Sequence, residues 1–380
     1  MKSIILIVSL LLSCTLSFAQ NVTGNFMHNG LNRAYTLYIP ANYNVANTHP
    51  IVFNLHGYTS TGTQQAALSN MNAIADTAGF IVAYPEGTLD ASSKTYWNSG
   101  YGTGVDDIGF IDALIDTIAA NYTVDLQRVY STGLSNGAIM SNTLACALNH
   151  RIAAIAGVAG TMSILQQTTC APANPIPVMQ IHGTSDVVVP YLGNTVLLGV
   201  DALVNHWRGH NGLTNTFSTT PIANTNLLDG STAELIQYET GASFPVHLIR
   251  VTNGGHSWPG SGVIISGTTN MDFDASVEIW KFFSQYSLVT STSKLADVSP
   301  ANWVRLTGSN PIVDNLSWEL DQEEDYELTI YDLLGKAIEH RSFQNNRGWA
   351  IDIRRLEAGT YFAVYTSPTQ KKALKFIKNK

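Results

Sequence analysis

The chain has 380 residues, of which 45% are hydrophobic and 13% are charged, and its formal net charge is −8 at pH 7. This composition is typical of a folded protein rather than a disordered one, and the length suits one large domain with a smaller one. The negative charge argues against nucleic acid or an anionic membrane as the main partner. After the N-terminal apolar run, no segment is apolar enough over a sufficient length to span a bilayer.

The N-terminus has the features of a secretory signal peptide over residues 1–19. Lys2 precedes an apolar run at residues 4–12, and a small-x-small cleavage site ends at Ala19, so we expect cleavage after Ala19. An alternative is a lipoprotein signal centred on Cys14, although the residue two positions before it is a leucine where a smaller side chain is usual.

Removal of this signal peptide takes one of the three cysteines with it. The two that remain are Cys146 and Cys170. In an exported protein such a pair forms either one disulfide or two buried thiols, and of these the composition favours the disulfide.

Residues 20–286 alternate between short apolar runs rich in β-branched and aromatic residues and segments with helical spacing. The runs predict strands over 34–39, 50–55, 80–84, 128–132, 152–157, 177–182, 233–239 and 246–251. The segments with helical spacing predict helices over 64–78, 108–121, 138–148, 200–208 and 275–286. This alternation predicts an α/β domain whose mostly parallel sheet is covered on both faces, with ligands beyond the carboxyl ends of the strands.

The composition changes after this domain. Residues 287–300 are rich in serine and threonine and are typical of a linker. Residues 301–380 contain short alternating runs at 316–320, 326–331, 349–353 and 359–365, which predict a small β-sandwich.

A candidate nucleophile lies between a predicted strand and a predicted helix. Gly133-Leu-Ser-Asn-Gly137 fits the G-x-S-x-G elbow of α/β-hydrolases, with Ser135 at its centre. Such a turn lifts the serine hydroxyl clear of the backbone at the positive end of a helix. The alternative is that Ser135 only caps the helix.

The partners of a catalytic serine must follow it in the order acid, then histidine. Asp186 comes just after the strand at 177–182, and His256 lies in a glycine-containing loop after the strand at 246–251. We therefore predict a Ser135–His256–Asp186 triad in which the histidine takes the serine proton and the aspartate orients it. The earlier pair Asp106-Asp107 is expected to begin a helix, and because no His or Cys cluster accompanies it we predict neither a metal nor a cofactor.

Two further sets of residues are candidates for substrate contact. The backbone N–H groups of Tyr58 and Asn136 are the expected oxyanion-hole donors, because Tyr58 follows a buried strand and Asn136 follows the nucleophile. The aromatic residues Trp97, Tyr101 and Trp258, together with Tyr58, either line an acyl or sugar site or pack the loops.

Residues 25–285 resemble the secreted esterase family that includes polyhydroxybutyrate depolymerases, feruloyl esterases and acetylxylan esterases. The resemblance is carried by the stretches Leu55-His-Gly-Tyr58, Tyr84-Pro-Glu-Gly87, Val105-Asp-Asp-Ile-Gly-Phe-Ile111, Gly133-Leu-Ser-Asn-Gly137, Ile181-His-Gly-Thr-Ser-Asp186 and Gly254-Gly-His-Ser-Trp-Pro-Gly260. It implies an α/β-hydrolase fold, the same three triad residues, and a disulfide that matches Cys146 and Cys170.

The tail resembles the C-terminal sorting domain of cargo for the type IX secretion system of Bacteroidetes. The resemblance is carried by Asn310-Pro311, Leu328-Thr-Ile-Tyr-Asp-Leu-Leu-Gly-Lys336, Leu356-Glu-Ala-Gly-Thr-Tyr-Phe362 and the basic end 371–380, although Ser309 stands where a second proline is usual. It implies export through the periplasm to the outside or surface of the cell, with the secretion machinery as partner. A carbohydrate-binding module is the alternative for this segment.

Taken with the triad, these resemblances predict an exported serine esterase acting on feruloyl or acetyl esters of plant cell-wall polysaccharide, a polymer-linked substrate. The alternatives are a polyester depolymerase of the polyhydroxybutyrate type, a peptidase on the same fold, and a non-catalytic binding protein on a hydrolase scaffold.

Overall fold

A computed structural model describes residues 19–99, 104–239, 241–288, 304–307, 312–332, 336–367 and 371–379. The chain divides into two compact units, Met1–Val289 and Thr290–Lys380. Most of the expected signal peptide, Tyr101 and most of the expected linker lie outside the described residues.

The first unit is built on a ten-stranded sheet in the order β1-β2-β4-β3-β7-β8-β9-β12-β11-β10. The strands from β4 to β12 in this order run parallel, and the outer strands on both sides pair antiparallel. A separate short hairpin consists of β5 and β6. The strands are β1 (Gln20–His28), β2 (Leu31–Ile39), β3 (His49–Leu55), β4 (Ile81–Pro85), β5 (Thr88–Leu89), β6 (Thr95–Tyr96), β7 (Val124–Leu134), β8 (Ala154–Val158), β9 (Val178–Gly183), β10 (Phe217–Ile222), β11 (Thr232–Tyr238) and β12 (Val246–Thr252).

Seven helices accompany this sheet in the described residues: α1 (Gly62–Ser69), α2 (Met71–Ala78), α3 (Asp107–Asn121), α4 (Asn136–Ala147), α5 (Ile164–Thr169), α6 (Val200–His210) and α7 (Ala275–Phe283). The single helix expected over 64–78 is two helices, because Asn70 between them adopts a left-handed conformation with φ 48° that ends the first. Asp106 caps α3 by accepting a hydrogen bond from the Gly109 N–H at 2.8 Å, as expected for a helix start.

Both faces of the sheet are covered, because alternate residues of one strand enter different apolar clusters. On β3, Ile51 and Phe53 belong to a cluster that includes residues of α3, α4 and α6, whereas Val52 belongs to one that includes residues of α2 and α7. Each of these three side chains is fully buried, which contributes about 1.5–3 kcal/mol apiece to folding. Burial on both faces explains why the central strands are continuous apolar runs.

In the second unit, the described strands belong to one five-stranded antiparallel sheet, so the expected β-sandwich is not confirmed. The strands are β13 (Val304–Leu306), β14 (Asn315–Tyr331), β15 (Ala337–Asp352), β16 (Gly359–Thr366) and β17 (Lys371–Lys378). The runs expected as separate strands at 316–320 and 326–331 are parts of β14, which pairs with β15 along its length with register shifts at its charged middle. Alternate residues of β14, among them Leu316, Trp318 and Leu328, enter the apolar core of this unit.

Candidate active site

The elbow around Ser135 has the expected geometry. Strand β7 ends at Leu134 and α4 begins at Asn136, and Ser135 between them adopts φ 56° and ψ −117°. This left-handed region costs a non-glycine residue about 1–3 kcal/mol, so the surroundings must hold it in place. They do so through hydrogen bonds from the Ser135 N–H to the Val158 carbonyl at 2.9 Å and from the Ile139 N–H to the Ser135 carbonyl at 3.0 Å.

Close packing around this turn requires glycine at neighbouring positions. A Cβ at Gly137 would lie 2.1 Å from the Leu55 carbonyl oxygen, and one at Gly160 would lie 2.2 Å from the Ser135 carbonyl oxygen. Both distances are far inside van der Waals contact, so a side chain at either position would displace backbone.

The predicted acid and base are hydrogen-bonded to each other. Asp186 follows β9 and His256 follows β12, and these strands are parallel neighbours, so both residues lie at the carboxyl edge of the sheet. The Nδ1 of His256 lies 2.8 Å from Oδ2 of Asp186, and both residues are 4% exposed. Because an aspartate can only accept here, His256 carries its proton on Nδ1 and presents Nε2 as a base.

Asp186 is held as an anion by the groups around it. Burial on its own would raise the pKa of its carboxyl group, but hydrogen bonds from His182, from His256 and from the Val189 N–H outweigh this and lower the pKa well below the ordinary aspartate value. Its Oδ1 accepts from the N–H groups of Val188 and Val189, each at 2.8 Å. Asp186 therefore stays charged at neutral pH and can stabilise a protonated His256.

His182 is a partner of Asp186 that the sequence reasoning missed. Its Nε2 lies 3.4 Å from Asp186 Oδ2 and 2.8 Å from the Val189 carbonyl oxygen, while Gln180 donates to its Nδ1 at 3.0 Å. His182 precedes Asp186, and the chain order of a triad points only to histidines that follow the acid. The sequence feature that points to His182 is its position at the end of β9, four residues before Asp186.

Ser135 lies at the same edge of the sheet as this acid–base pair. Strand β8 lies between β7, which leads into Ser135, and β9, which leads into Asp186. Within the residues that the structure describes, no hydrogen bond joins the Ser135 hydroxyl to His256.

The two expected oxyanion donors lie beside the elbow. A Cβ on Gly57 would lie 3.6 Å from Ser135 Cβ, so the loop that carries Tyr58 runs alongside the nucleophile. Asn136 is the first residue of α4, where backbone N–H groups have no partner inside the helix. Across the described part of the chain, neither the Tyr58 nor the Asn136 N–H donates to a backbone acceptor.

Two of the expected substrate-binding aromatics are packing residues. Trp97 and Trp258 are each 1% exposed, and their indole N–H groups donate to the His56 carbonyl at 2.9 Å and to Ser276 Oγ at 3.1 Å. This corrects the expectation that they line the substrate site, because a side chain closed off from solvent on all sides cannot contact a substrate. Tyr58, in contrast, is 49% exposed, with its hydroxyl donating to Asp90 at 2.7 Å.

The expected disulfide is confirmed. Cys146 on α4 is bonded to Cys170 at the end of α5, with a Cα–Cα distance of 5.1 Å. It ties the helix that begins beside Ser135 to the segment that leads toward β9.

The described residues contain no group of three or more His, Cys, Asp or Glu side chains arranged to hold a metal ion. Within the same residues, none of the helices has the length and apolar character needed to cross a membrane.

Comparisons with known proteins find two family matches and several similar esterases. Residues 33–196 match the family described as Esterase PHB depolymerase, and residues 310–379 match the Secretion system C-terminal sorting domain. The chain is 31% identical over 183 residues to feruloyl esterase D of Neurospora crassa, an alignment that covers 46% of this chain and 60% of that protein. It is 28% identical over 261 residues to feruloyl esterase B of Piromyces equi, covering 66% of this chain and 44% of that protein. The chain thus spans less than two thirds of the length of either relative.

Among solved structures, the chain is similar to an acetyl xylan esterase from Aspergillus awamori, with 20% identity and a TM-score of 0.50, covering 70% of this chain and 99% of that one. Together with the strand order, this likeness shows an α/β-hydrolase fold for the first unit. The resemblance of this chain to the polyhydroxybutyrate depolymerase and feruloyl esterase family, with a C-terminal secretion sorting domain, is confirmed.

Proposed function

We propose that this protein is a secreted serine carboxylic-ester hydrolase that works through an acyl-enzyme. Ser135 is the nucleophile, His256 the general base and Asp186 the residue that orients and stabilises the histidine. The observation that supports this most is the buried 2.8 Å bond between Asp186 and His256 at the sheet edge that also carries the Ser135 elbow.

The reaction follows from these positions. As Ser135 Oγ attacks the ester carbonyl carbon, its proton passes to Nε2 of His256, and the negative charge that develops on the carbonyl oxygen is bound by the N–H groups of Tyr58 and Asn136. The intermediate collapses when the protonated His256 gives the proton to the departing alcohol oxygen. Water then attacks the acyl-enzyme by the same route, releasing the carboxylic acid and restoring the serine.

The substrate we propose is a feruloyl or acetyl ester of plant cell-wall polysaccharide, met outside the cell. Similar proteins that are named feruloyl esterases and an acetyl xylan esterase support this choice. The exposed ring of Tyr58, next to an oxyanion donor, offers an apolar surface for the acyl group. The sorting-domain match supports delivery by the type IX secretion machinery, through the periplasm to the medium or the cell surface.

A polyester depolymerase is the second candidate, and a specific observation favours it. The loops that follow the acid and the base carry exposed aliphatic side chains: Val187 is 80% exposed, Leu192 is 89% exposed and Ile264 is 77% exposed. Exposed apolar side chains on active-site loops suit an insoluble aliphatic polymer. Parallel assays on ethyl ferulate, acetylated xylan and polyhydroxybutyrate decide between the two candidates.

Replacement of the nucleophile tests the proposed function. Ser135→Ala should lower ester turnover by a factor on the order of 10⁴ and abolish covalent labelling by a fluorophosphonate probe. Ser131→Ala is the matched control, because Ser131 lies on β7, the strand that leads into Ser135, with its hydroxyl 2.8 Å from that of Ser141, and it should keep the label. A folded Ser135→Ala protein with near wild-type turnover would falsify the assignment, and a wild-type protein that never labels would favour the binding-protein alternative.

Replacement of the histidines tests the choice of base. His256→Ala should lose as much activity as Ser135→Ala, because it removes the proposed base, whose Nδ1 lies 2.8 Å from Asp186 Oδ2. His206→Ala and His210→Ala on α6 and His247→Ala on β12 should retain most of it. If one of these three were as inactive as His256→Ala, the assignment of the base would be wrong.

A further inference from the structure

We propose that Trp97 is a positioning residue that fixes the two oxyanion donors, the N–H groups of Asn136 and Tyr58, relative to each other. The proposal rests on the serine-esterase function above and adds a residue that contacts neither substrate nor reacting atoms. Trp97 follows β6 and is 1% exposed. It contacts the elbow with its backbone and the Tyr58 loop with its side chain.

On the elbow side, the backbone of Trp97 pairs with the side chain of Asn136. The Trp97 N–H donates to Asn136 Oδ1 at 2.6 Å, and Asn136 Nδ2 donates to the Trp97 carbonyl at 3.2 Å. The amide side chain thus pairs with the Trp97 backbone through two hydrogen bonds. This pairing fixes the first residue of α4, whose backbone N–H is one of the two donors.

On the other side, the indole of Trp97 holds the loop that precedes Tyr58. Its Nε1–H donates to the His56 carbonyl at 2.9 Å, and its ring lies 5.0 Å from the His56 ring, centroid to centroid. The Gly87 N–H donates to His56 Nε2 at 2.9 Å, which leaves the proton on Nδ1 to be donated to the Gly57 carbonyl at 2.8 Å. The Gly57 carbonyl and the Tyr58 N–H belong to one planar peptide unit, so this contact sets the direction of the second donor.

A buried ion pair anchors the same segment to the domain. The Asn98 N–H, next to Trp97 in the chain, donates to Asp107 Oδ2 at 2.7 Å, and Arg33 Nη2 lies 2.5 Å from Asp107 Oδ1. Arg33 and Asp107 are 2% and 1% exposed, and the guanidinium lies 3.8 Å above the ring of Phe110. Trp97 and Asn98 are therefore bonded to the elbow, to the Tyr58 loop and to the start of α3, and Asp107 at that helix start is in turn paired with Arg33 on β2.

Oxyanion donors lower the barrier only when they already point at the position that the charged oxygen will take. A misplacement of about 1 Å lowers turnover by a factor of roughly 100. Removing the indole N–H leaves the His56 carbonyl without this hydrogen bond. The backbone N–H of Tyr58 should then become more mobile, while the residues that bind the substrate keep their positions. We therefore expect the loss to appear in kcat and not in KM.

Trp97→Phe tests the proposal, with Trp207→Phe as its matched control. Trp207 is also fully buried, and its indole N–H donates to Asn142 Oδ1 at 2.8 Å, a residue of α4 that lies beyond Asn136 in the helix. Trp97→Phe should lower kcat by about 10- to 100-fold and change KM by less than about threefold. It should also weaken a trifluoromethyl ketone, which forms a tetrahedral adduct on the serine, by the factor lost in kcat. Trp207→Phe should leave all three within about twofold.

If Trp97→Phe does not fold, a second variant tests the same proposal. Asn136→Ala retains the backbone donor and removes only the pairing with Trp97, so it should lower kcat and ketone affinity in parallel as well. Wild-type kcat and ketone affinity in a folded variant, or equal losses in Trp207→Phe, would overturn the proposal. These outcomes differ from failure of the esterase function itself, which would appear as an active Ser135→Ala protein.

Discussion

The buried histidines of this protein serve different purposes according to what their ring nitrogens contact. His256 and His182 both contact the Asp186 carboxylate, whereas the ring nitrogens of His56 bond to backbone groups. Burial lowers the pKa of His56, so this ring stays neutral and can act as both donor and acceptor in the Tyr58 loop. A neutral, fixed imidazole is what the positioning of an oxyanion donor requires.

His247 on β12 should make stability depend on pH. Burial lowers its pKa to about 4, and its ring packs 5.0 Å from that of Phe282. Because an unfolded histidine has a pKa of about 6.5, the unfolded chain binds a proton here between about pH 6.5 and 4 that the folded chain does not. This residue therefore lowers the free energy of unfolding as the pH falls from about 6.5 to 4, by a total on the order of 3 kcal/mol.

Urea unfolding of His247→Gln at pH 4.5, 5.5 and 7 measures this effect. The variant should show a flatter pH dependence than the wild type, while the exposed His150→Gln should match the wild type. Equal slopes in all three proteins would show that His247 does not titrate as its burial implies.

The residues of the site differ in how far a sequence can reveal them. Ser135, Asp186 and His256 could be selected because each occupies a short motif just after a predicted strand. The role of Trp97 could not, since an aromatic in a loop has the same sequence signature whether it is exposed or buried. Its proposed role depends on contacts with Asn136 and His56, which approach it only in the folded chain.

At the scale of elements, the inner strands of the ten-stranded sheet could be predicted and its two edge strands could not. Strands β3, β4, β8 and β9 are buried along their whole length, so they appear as continuous apolar runs. The outer strands β1 and β10 are half-buried or exposed, and β10 contains Pro221, a residue that argues against a strand unless it lies at an edge. The short helix α5 has too few residues for a periodic pattern to be recognised.

The disulfide between α4 and α5 should stabilise the first unit. It closes a loop of about 25 residues, for which the chain-entropy relation gives about 3.5 kcal/mol. The double variant Cys146→Ser with Cys170→Ser should lose roughly that amount of unfolding free energy in urea. Thiol titration of the denatured, unreduced mature protein is the control, and two free thiols there would contradict the bond.

At the scale of the whole molecule, each compact unit has an apolar core of its own. The core of the second unit is formed by residues of its strands and of the segments beside them, and none of the proposed triad lies in it. We therefore expect the chemical step to depend on the first unit alone and the second unit to serve as the address for export.

Truncation after Thr292 tests this division of tasks. The shortened chain should hydrolyse a small soluble ester with kcat within about twofold of the full chain, since independent domains retain their own chemistry. In the native host it should accumulate in the periplasm. Normal export combined with weaker activity on insoluble substrate only would instead indicate a carbohydrate-binding module, and loss of soluble-ester activity would contradict independent units.

The glycines that crowd the elbow set limits on how this protein can acquire new specificities. At Gly137 and Gly160 even a methyl group would collide with main-chain oxygens, so directed evolution cannot place a side chain at either position without moving the backbone around Ser135. The exposed side chains on the loops after Asp186 and His256 are under no such constraint. A mutant library aimed at new acyl groups should therefore randomise Val187, Leu192 and Ile264 and keep Gly137 and Gly160 as glycine.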